Sequence, residues 1–173
     1  MKMLSEDQFN SVDQGRVELA IQTAQGQLWK QDQSLLTLDA HERSICFRLA
    51  VYLAEQFPEF DVDCEYNRNH DDDDYLKRLK DENLYDIVGR EPRFGDEDGL
   101  MIMPDVIVHI RDEPMNLLVI EVKKTSSMIP EYKDLFKLNA LKKELGYRFA
   151  RFIKFSVGDN CQAPGISESF FIK

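Results

Sequence analysis

Two apolar runs in the middle of the chain frame everything else. Met103 to Ile110 reads MPDVIVHI and Asn116 to Lys123 reads NLLVIEVK, both rich in Val and Ile. Arg111-Asp112-Glu113-Pro114 between them is turn material, so the pattern predicts a β-hairpin with a loop of several residues. Side chains alternate faces along a strand. Glu121 and Lys123 therefore share a face with Leu117 and Val119, and Asp105 shares one with Ile107 and His109. Ionisable groups in runs this apolar are costly to bury without a partner, and a divalent metal or a salt bridge to Lys123 would serve.

The remaining elements follow in order. Ser5 to about Gln31 carries a rough helical stripe (Phe9, Val12, Val17, Ala20, Ile21, Ala24, Leu28), with Ser5 as N-cap and Gln8 at capping-box spacing. Gly15 and Gly26 are the points where it breaks. A second helix starts at Asp39 as N-cap and runs to Phe57, stopped by Pro58, with Ile45, Leu49, Tyr52 and Leu53 on one side. Phe60 to Asn67 alternates apolar and acidic, a half-exposed strand with Asp63 and Glu65 toward solvent. Residues 67–99 are irregular, with a short helix expected from Tyr75 to about Leu84 and loops at Gly89, Pro92, Gly95 and Gly99. After the hairpin, Pro130 opens a helix with Leu135, Leu138, Leu141 and Leu145 on one stripe and Lys133, Lys137 and Lys143 off it, ended by Gly146. Tyr147 to Phe155 is a strand, and the tail is loop with a short strand at Ser169–Ile172.

The composition narrows the classes. A 173-residue chain with 43% hydrophobic and 31% charged residues fits one soluble domain with a sizeable core. No window approaches the ~20 apolar residues of a membrane helix, and the N-terminus lacks the apolar centre of a signal peptide. Cys46, Cys64 and Cys161 are odd in number and far apart, with no zinc spacing and no disulfide framework, which points to a reducing, cytoplasmic setting. A net charge of −10 argues against a nonspecific nucleic-acid binder. The charge is uneven, however. Acids dominate from Glu55 to Asp98, with Asp71 to Asp74 in a row, and bases dominate from Lys123 to Lys154. The basic stretch is either a solvated helix face or an edge able to hold a phosphate backbone. The four aspartates lack the spaced acids and central glycine of a calcium loop and read as a solvated loop.

Pro104-Asp105 followed by Glu121-Val122-Lys123 resembles the signature of the PD-(D/E)xK nuclease superfamily. The order helix, strand, long insertion, strand, strand, helix, strand matches that family from about Thr37 to Phe155. The resemblance implies an α/β, restriction-endonuclease-like αβββαβ core, a central mixed sheet flanked by helices. Residues 1–36 are then an extra N-terminal helical extension, 37–155 the core with an insertion at about 67–99, and 156–173 a C-terminal tail. It also implies a metal-dependent nuclease that hydrolyses phosphodiester bonds, with DNA the expected nucleic acid. Mg²⁺, with Mn²⁺ as substitute, would be held by Asp105, Glu121, the Val122 carbonyl and Glu42. Lys123 would stand beside the attacking water. Arg68, His109 and Lys124 are the candidate substrate contacts, although alternation turns Lys124 to the other face. Homodimers are common in the family, and the chain is compatible with one.

Each assignment has a plainer alternative. Asp39-x-x-Glu42 also has capping-box spacing, which would occupy Glu42 at the helix start. Lys123 can pair with Glu121 or Asp105 as a structural ion pair, and His109 can be a satisfied core histidine. The whole chain can also be a catalytically inactive binding or regulatory module on the same fold, acting through protein interactions. The acidic balance is what favours that alternative.

Overall fold

A computed structural model describes residues 4–67, 78–80, 89 and 99–173. In chain order the elements are α1 (Glu6–Ser11), α2 (Gln14–Thr37), α3 (Glu42–Gln56), β1 (Asp61–Cys64), β2 (Arg78–Leu79), β3 (Leu100–Met101), β4 (Val106–Ile110), β5 (Met115–Lys124), α4 (Tyr132–Glu144), β6 (Phe149–Phe155) and β7 (Ile166–Phe171). Five strands form one mixed sheet in the order β1-β4-β5-β6-β7, and β2 pairs with β3 in a separate ribbon. The β5–β6 pair is parallel and the other three are antiparallel. A parallel pair needs a crossover, and α4 supplies it.

Alternation along the central strands sorts the core into two layers. Val106, Val108, Ile110, Ile120, Val122, Ile153 and Phe155 pack with residues of α2 and α3, including Ile21, Leu28, Ile45, Leu49 and Leu53. Ile107, Val119, Ala150 and Phe152 pack with Leu138, Ala140 and Leu141 of α4 on the other face. The central strands are buried on both faces, which is why their sequences read as nearly continuous apolar runs rather than as strict alternation. Among the described residues, no helix is long and apolar enough to cross a membrane.

The N-terminal helix breaks earlier than its glycines suggest. The Ser5–Gln8 capping box forms as expected, but α1 ends at Ser11 and Asp13 caps a new helix by accepting from the Arg16 N–H at 2.8 Å. From there α2 runs through Gly26 to Thr37, with non-helical backbone at Asp32. The Asp32 carboxylate accepts from Arg48 at 2.6 Å and from the Tyr52 hydroxyl, tying the kink to α3.

The expected Asp39 cap is corrected. Asp39 adopts φ 50, outside the extended conformation of an N-cap, and its carboxylate accepts from Lys124 and Ser126. His41 is the cap of α3, its ring Nδ1 accepting from the Arg43 N–H. The Asp39–Glu42 capping box therefore does not form.

Asp63 is corrected as well. It faces His109 and Arg111 rather than open solvent. Burial alone would raise its pKa, but the His109 and Arg111 hydrogen bonds outweigh it and hold the carboxyl at about 2.

Of the helix expected over Tyr75–Leu84, Arg78 and Leu79 are strand. The rest of that span, apart from Lys80, lies outside the described residues, as do Arg68 and the Asp71–Asp74 run. Leu79 and Leu100 nonetheless join the α4-side core. Gly99 has φ +110, and a Cβ there would lie 2.6 Å from the Leu79 carbonyl oxygen, so the ribbon requires glycine.

The tail carries more strand than the sequence suggests, with β7 paired to β6 from Ile166 to Phe171. As an edge strand it keeps several side chains exposed, so its apolar signal is weak. Gly165, at φ +78, leads into it, and a Cβ there would fall 2.5 Å from Leu36. Gly165→Ala is expected to cost about 1–3 kcal/mol in urea unfolding, from a strained backbone and a crowded core. An unchanged midpoint would contradict this packing.

Candidate functional site

Register brings the signature residues together. Val106 pairs with Ile120, so Asp105, one residue earlier, falls beside Glu121 and Val122. The Val122 N–H donates to Asp105 Oδ2 at 2.7 Å. Val122 thus meets the site through its backbone, while its side chain is buried on the α2–α3 face. Glu121 and Lys123, two residues apart, project together toward α4, and both are buried.

The partners come from α4. Lys137 Nζ lies 2.8 Å from Glu121 Oε1, 2.9 Å from Oε2 and 2.8 Å from the Met103 carbonyl oxygen. Lys123 Nζ lies 2.6 Å from Asp134 Oδ2. The alternative in which Lys123 pairs with Glu121 or Asp105 is therefore not what forms: its partner is Asp134. Glu121 Oε1 and Asp134 Oδ2 are buried and meet their ammonium groups off the line of a hydrogen bond. Both acceptors thus retain unspent capacity.

Glu42 approaches from the first turn of α3. With its capping box absent, it lines a cleft of about 330 Å³ together with His41, Arg43, Cys46, Cys64, Glu65 and Asp105. The Arg43–Glu65 ion pair, 2.6 Å, stands at the exposed rim.

The carboxyl groups share one electrostatic field. Glu121 is pushed up to about 8: burial first, then the charges on Asp105 and Asp134, raise it against the pull of Lys137. Asp105 is raised by burial against the pull of Lys137 and the Val122 N–H. Glu42 is raised by burial and then by the charge on Asp105. Burial would lower the Lys137 ammonium, but Glu121 and Asp105 outweigh it and raise its pKa. Glu42, Asp105, Glu121 and Asp134 together with Lys123 and Lys137 sum to −2 when all are ionised, the charge that one divalent cation neutralises.

The donor set suits a hard cation. Carboxylate and carbonyl oxygens are what Mg²⁺ and Mn²⁺ take, and Glu121 Oε1 and Asp134 Oδ2 are buried acceptors without a hydrogen-bond donor. Among the described residues, however, no three His, Cys, Asp or Glu side chains already stand as a closed ligand group. The residues fit a cation in chemistry and charge, with Lys137 now filling part of the space between them.

The proposed substrate contacts are placed apart. Lys124 turns to the opposite face, as alternation requires, and donates to Asp39 and the Ala40 carbonyl. His109 sits four residues beyond Asp105, roughly 13 Å at ~3.3 Å per residue. It is buried, with Nε2 2.9 Å from Asp63 Oδ2 and its ring against Tyr66. Arg68 lies outside the described residues.

Asp134 and Lys137 are the site residues that the sequence reading passed over. Asp134 precedes Leu138 by four and Leu141 by seven, so it lies on the apolar stripe of α4. An acid on a buried stripe is the signal that marks it. No family model, no curated protein and no solved structure matches this chain.

Proposed function

We propose that this chain is a metal-dependent nuclease of the PD-(D/E)xK type that hydrolyses phosphodiester bonds, with DNA as the expected nucleic acid. The observation that carries the reading is the convergence of Asp105, Glu121 and Lys123 at one end of β5, in a carboxylate-rich cluster. The element order from α3 to β6, helix–strand–strand–strand–helix–strand once the β2–β3 ribbon is set aside, supports it.

Asp105 and Glu121, with Glu42 and the Val122 carbonyl, are the groups that would hold Mg²⁺ or Mn²⁺. Such an ion supplies Lewis acidity at a phosphodiester oxygen and eases ionisation of a nearby water. Lys123 Nζ supplies hydrogen-bond donors for the attacking water and stabilises the negative charge that develops on it. Asp134 Oδ2, 2.6 Å away, holds that ammonium by charge. The Asp105 carboxylate is itself oriented by the Val122 N–H, which ties the two halves of the signature to one geometry. The cleft beside Glu42 and Asp105 is the route by which a phosphate backbone would enter.

A second reading is favoured by one observation. Two ion pairs already occupy Glu121 and Asp134, and no closed ligand group stands among the described residues. On that reading the fold is an inactive binding or regulatory module and the pairs are structural.

Cleavage assays separate the two. Supercoiled plasmid, single-stranded DNA and RNA are incubated with Mg²⁺ or Mn²⁺. The nuclease reading expects metal-dependent cleavage that a chelator stops and that Lys123→Ala lowers at least ~10-fold. No cleavage of any of the three by a folded wild type would overturn it and leave the binding module.

A further inference from the structure

We infer that Lys137 is an exchangeable counter-cation: its ammonium fills the cation position against Glu121 in the metal-free chain and is displaced when the metal enters. The inference rests on the metal reading above and deepens it by giving a role to a residue outside the signature.

Three observations carry it. Lys137 Nζ spans both oxygens of Glu121 and the Met103 carbonyl at 2.8–2.9 Å, one carboxylate and one carbonyl of the kind a hard cation takes. Its contact with Glu121 Oε1 is off the line of a hydrogen bond, so the lysine satisfies charge but leaves the acceptor incompletely used. Glu121 is held on a central strand and is 2% exposed, whereas the Lys137 side chain is 20% exposed at the end of a flexible stem. The carboxylate is therefore fixed on the sheet, and the ammonium is carried by a flexible stem that can withdraw it.

Lys123 does not share this role. It is 6% exposed and is held by Asp134, so it keeps its place when Lys137 moves. The two lysines divide the work: one remains beside the position of the attacking water, and the other balances the Glu121 charge until a metal takes its place.

The physical consequence is competition. Binding of a divalent ion must break the Lys137–Glu121 pair, so the ammonium weakens metal affinity in the wild type. Removing the charge while keeping a hydrogen-bonding side chain should strengthen it.

The test is calorimetric titration of Mn²⁺ into wild type, Lys137→Gln and Lys137→Arg, each shown to be folded by circular dichroism. Lys137→Gln is expected to bind Mn²⁺ at least ~10-fold tighter, and Lys137→Arg, which keeps the charge, should stay within about threefold of wild type. If Lys137→Gln binds no tighter than a wild type that does bind, the displacement proposal is overturned and the metal reading stands. If wild type and Lys137→Gln both bind nothing, both fall. Should Lys137→Gln fail to fold without metal, Lys137→Met refolded from urea with and without Mn²⁺ gives the same comparison. Refolding without rescue by Mn²⁺ counts against the proposal.

Discussion

Replacing Glu121 by glutamine is expected to weaken Mn²⁺ binding and metal-dependent cleavage at least ~100-fold while leaving the chain folded. Even ligand-supporting groups in metal sites cost 10–100-fold when removed, and Glu121 would be a ligand itself. The fold should survive because the wild-type carboxylate is poorly placed for stability. It is buried, and its pKa is pushed to about 8. Glutamine fills nearly the same volume without the charge. Lys137 does not lose all its negative company, since Asp105 and Asp134 also act on it. Its stem lets it reach water if they do not suffice. A structural ion pair predicts otherwise: breaking a truly buried pair costs about 3–5 kcal/mol. Urea unfolding beside Mn²⁺ titration separates the cases. A folded, unweakened variant that no longer binds metal supports the site, and a variant destabilised by that amount with metal binding intact contradicts it.

The second large effect is the dependence of stability on pH and metal. The Glu121 carboxyl has a folded pKa near 8 against an ordinary value of 4.5. Between those values the unfolded chain has released a proton that the folded chain still holds. The group's contribution is therefore fully present below pH 4.5 and is lost as pH rises through 8. Asp105 and Glu42 are shifted in the same direction, each led by burial. Metal-free protein is expected to lose stability on the order of a few kcal/mol from pH 5 to 8.5, a fall in Tm of about 5–10 °C for a chain of this size. Mn²⁺ favours the ionised carboxylates, so it should stabilise the protein more at pH 8.5 than at pH 5 and flatten the curve. Asp63 stays out of this window, because its lowered pKa of about 2 gives a contribution lost only in acid, below about 4. Differential scanning fluorimetry with chelator and with Mn²⁺ reads both effects. A metal-free Tm that is flat or rising from pH 5 to 8.5 would contradict the buried acid cluster.

The central hairpin was legible because β4 and β5 are buried on both faces, so their Val and Ile runs stand out and their charged residues stand out more. Asp105, Glu121 and Lys123 could be named from that contrast, and strand alternation placed Lys124 on the other face. The partners of those residues were less legible for a physical reason. Asp134 and Lys137 lie on a helix where charged residues ordinarily meet water. What half-buries them is the packing of α4 against β5 and β6, set by a crossover that no local pattern specifies. Asp39 shows the same limit: a good N-cap residue type is drawn off by Lys124, a residue 85 positions away. Strand β7 was only partly readable, because an edge strand with one solvated face lacks the apolar contrast that revealed β5.

The most direct measurement of the central claim is calorimetric titration of Mn²⁺ into the metal-free wild type at pH 7.5, repeated on Asp105→Ala. One saturable site is expected in the wild type, with proton release as buried carboxyl groups ionise, and no binding in the variant. A folded wild type that takes up no Mn²⁺, or an Asp105→Ala variant that binds it equally well, would contradict the account.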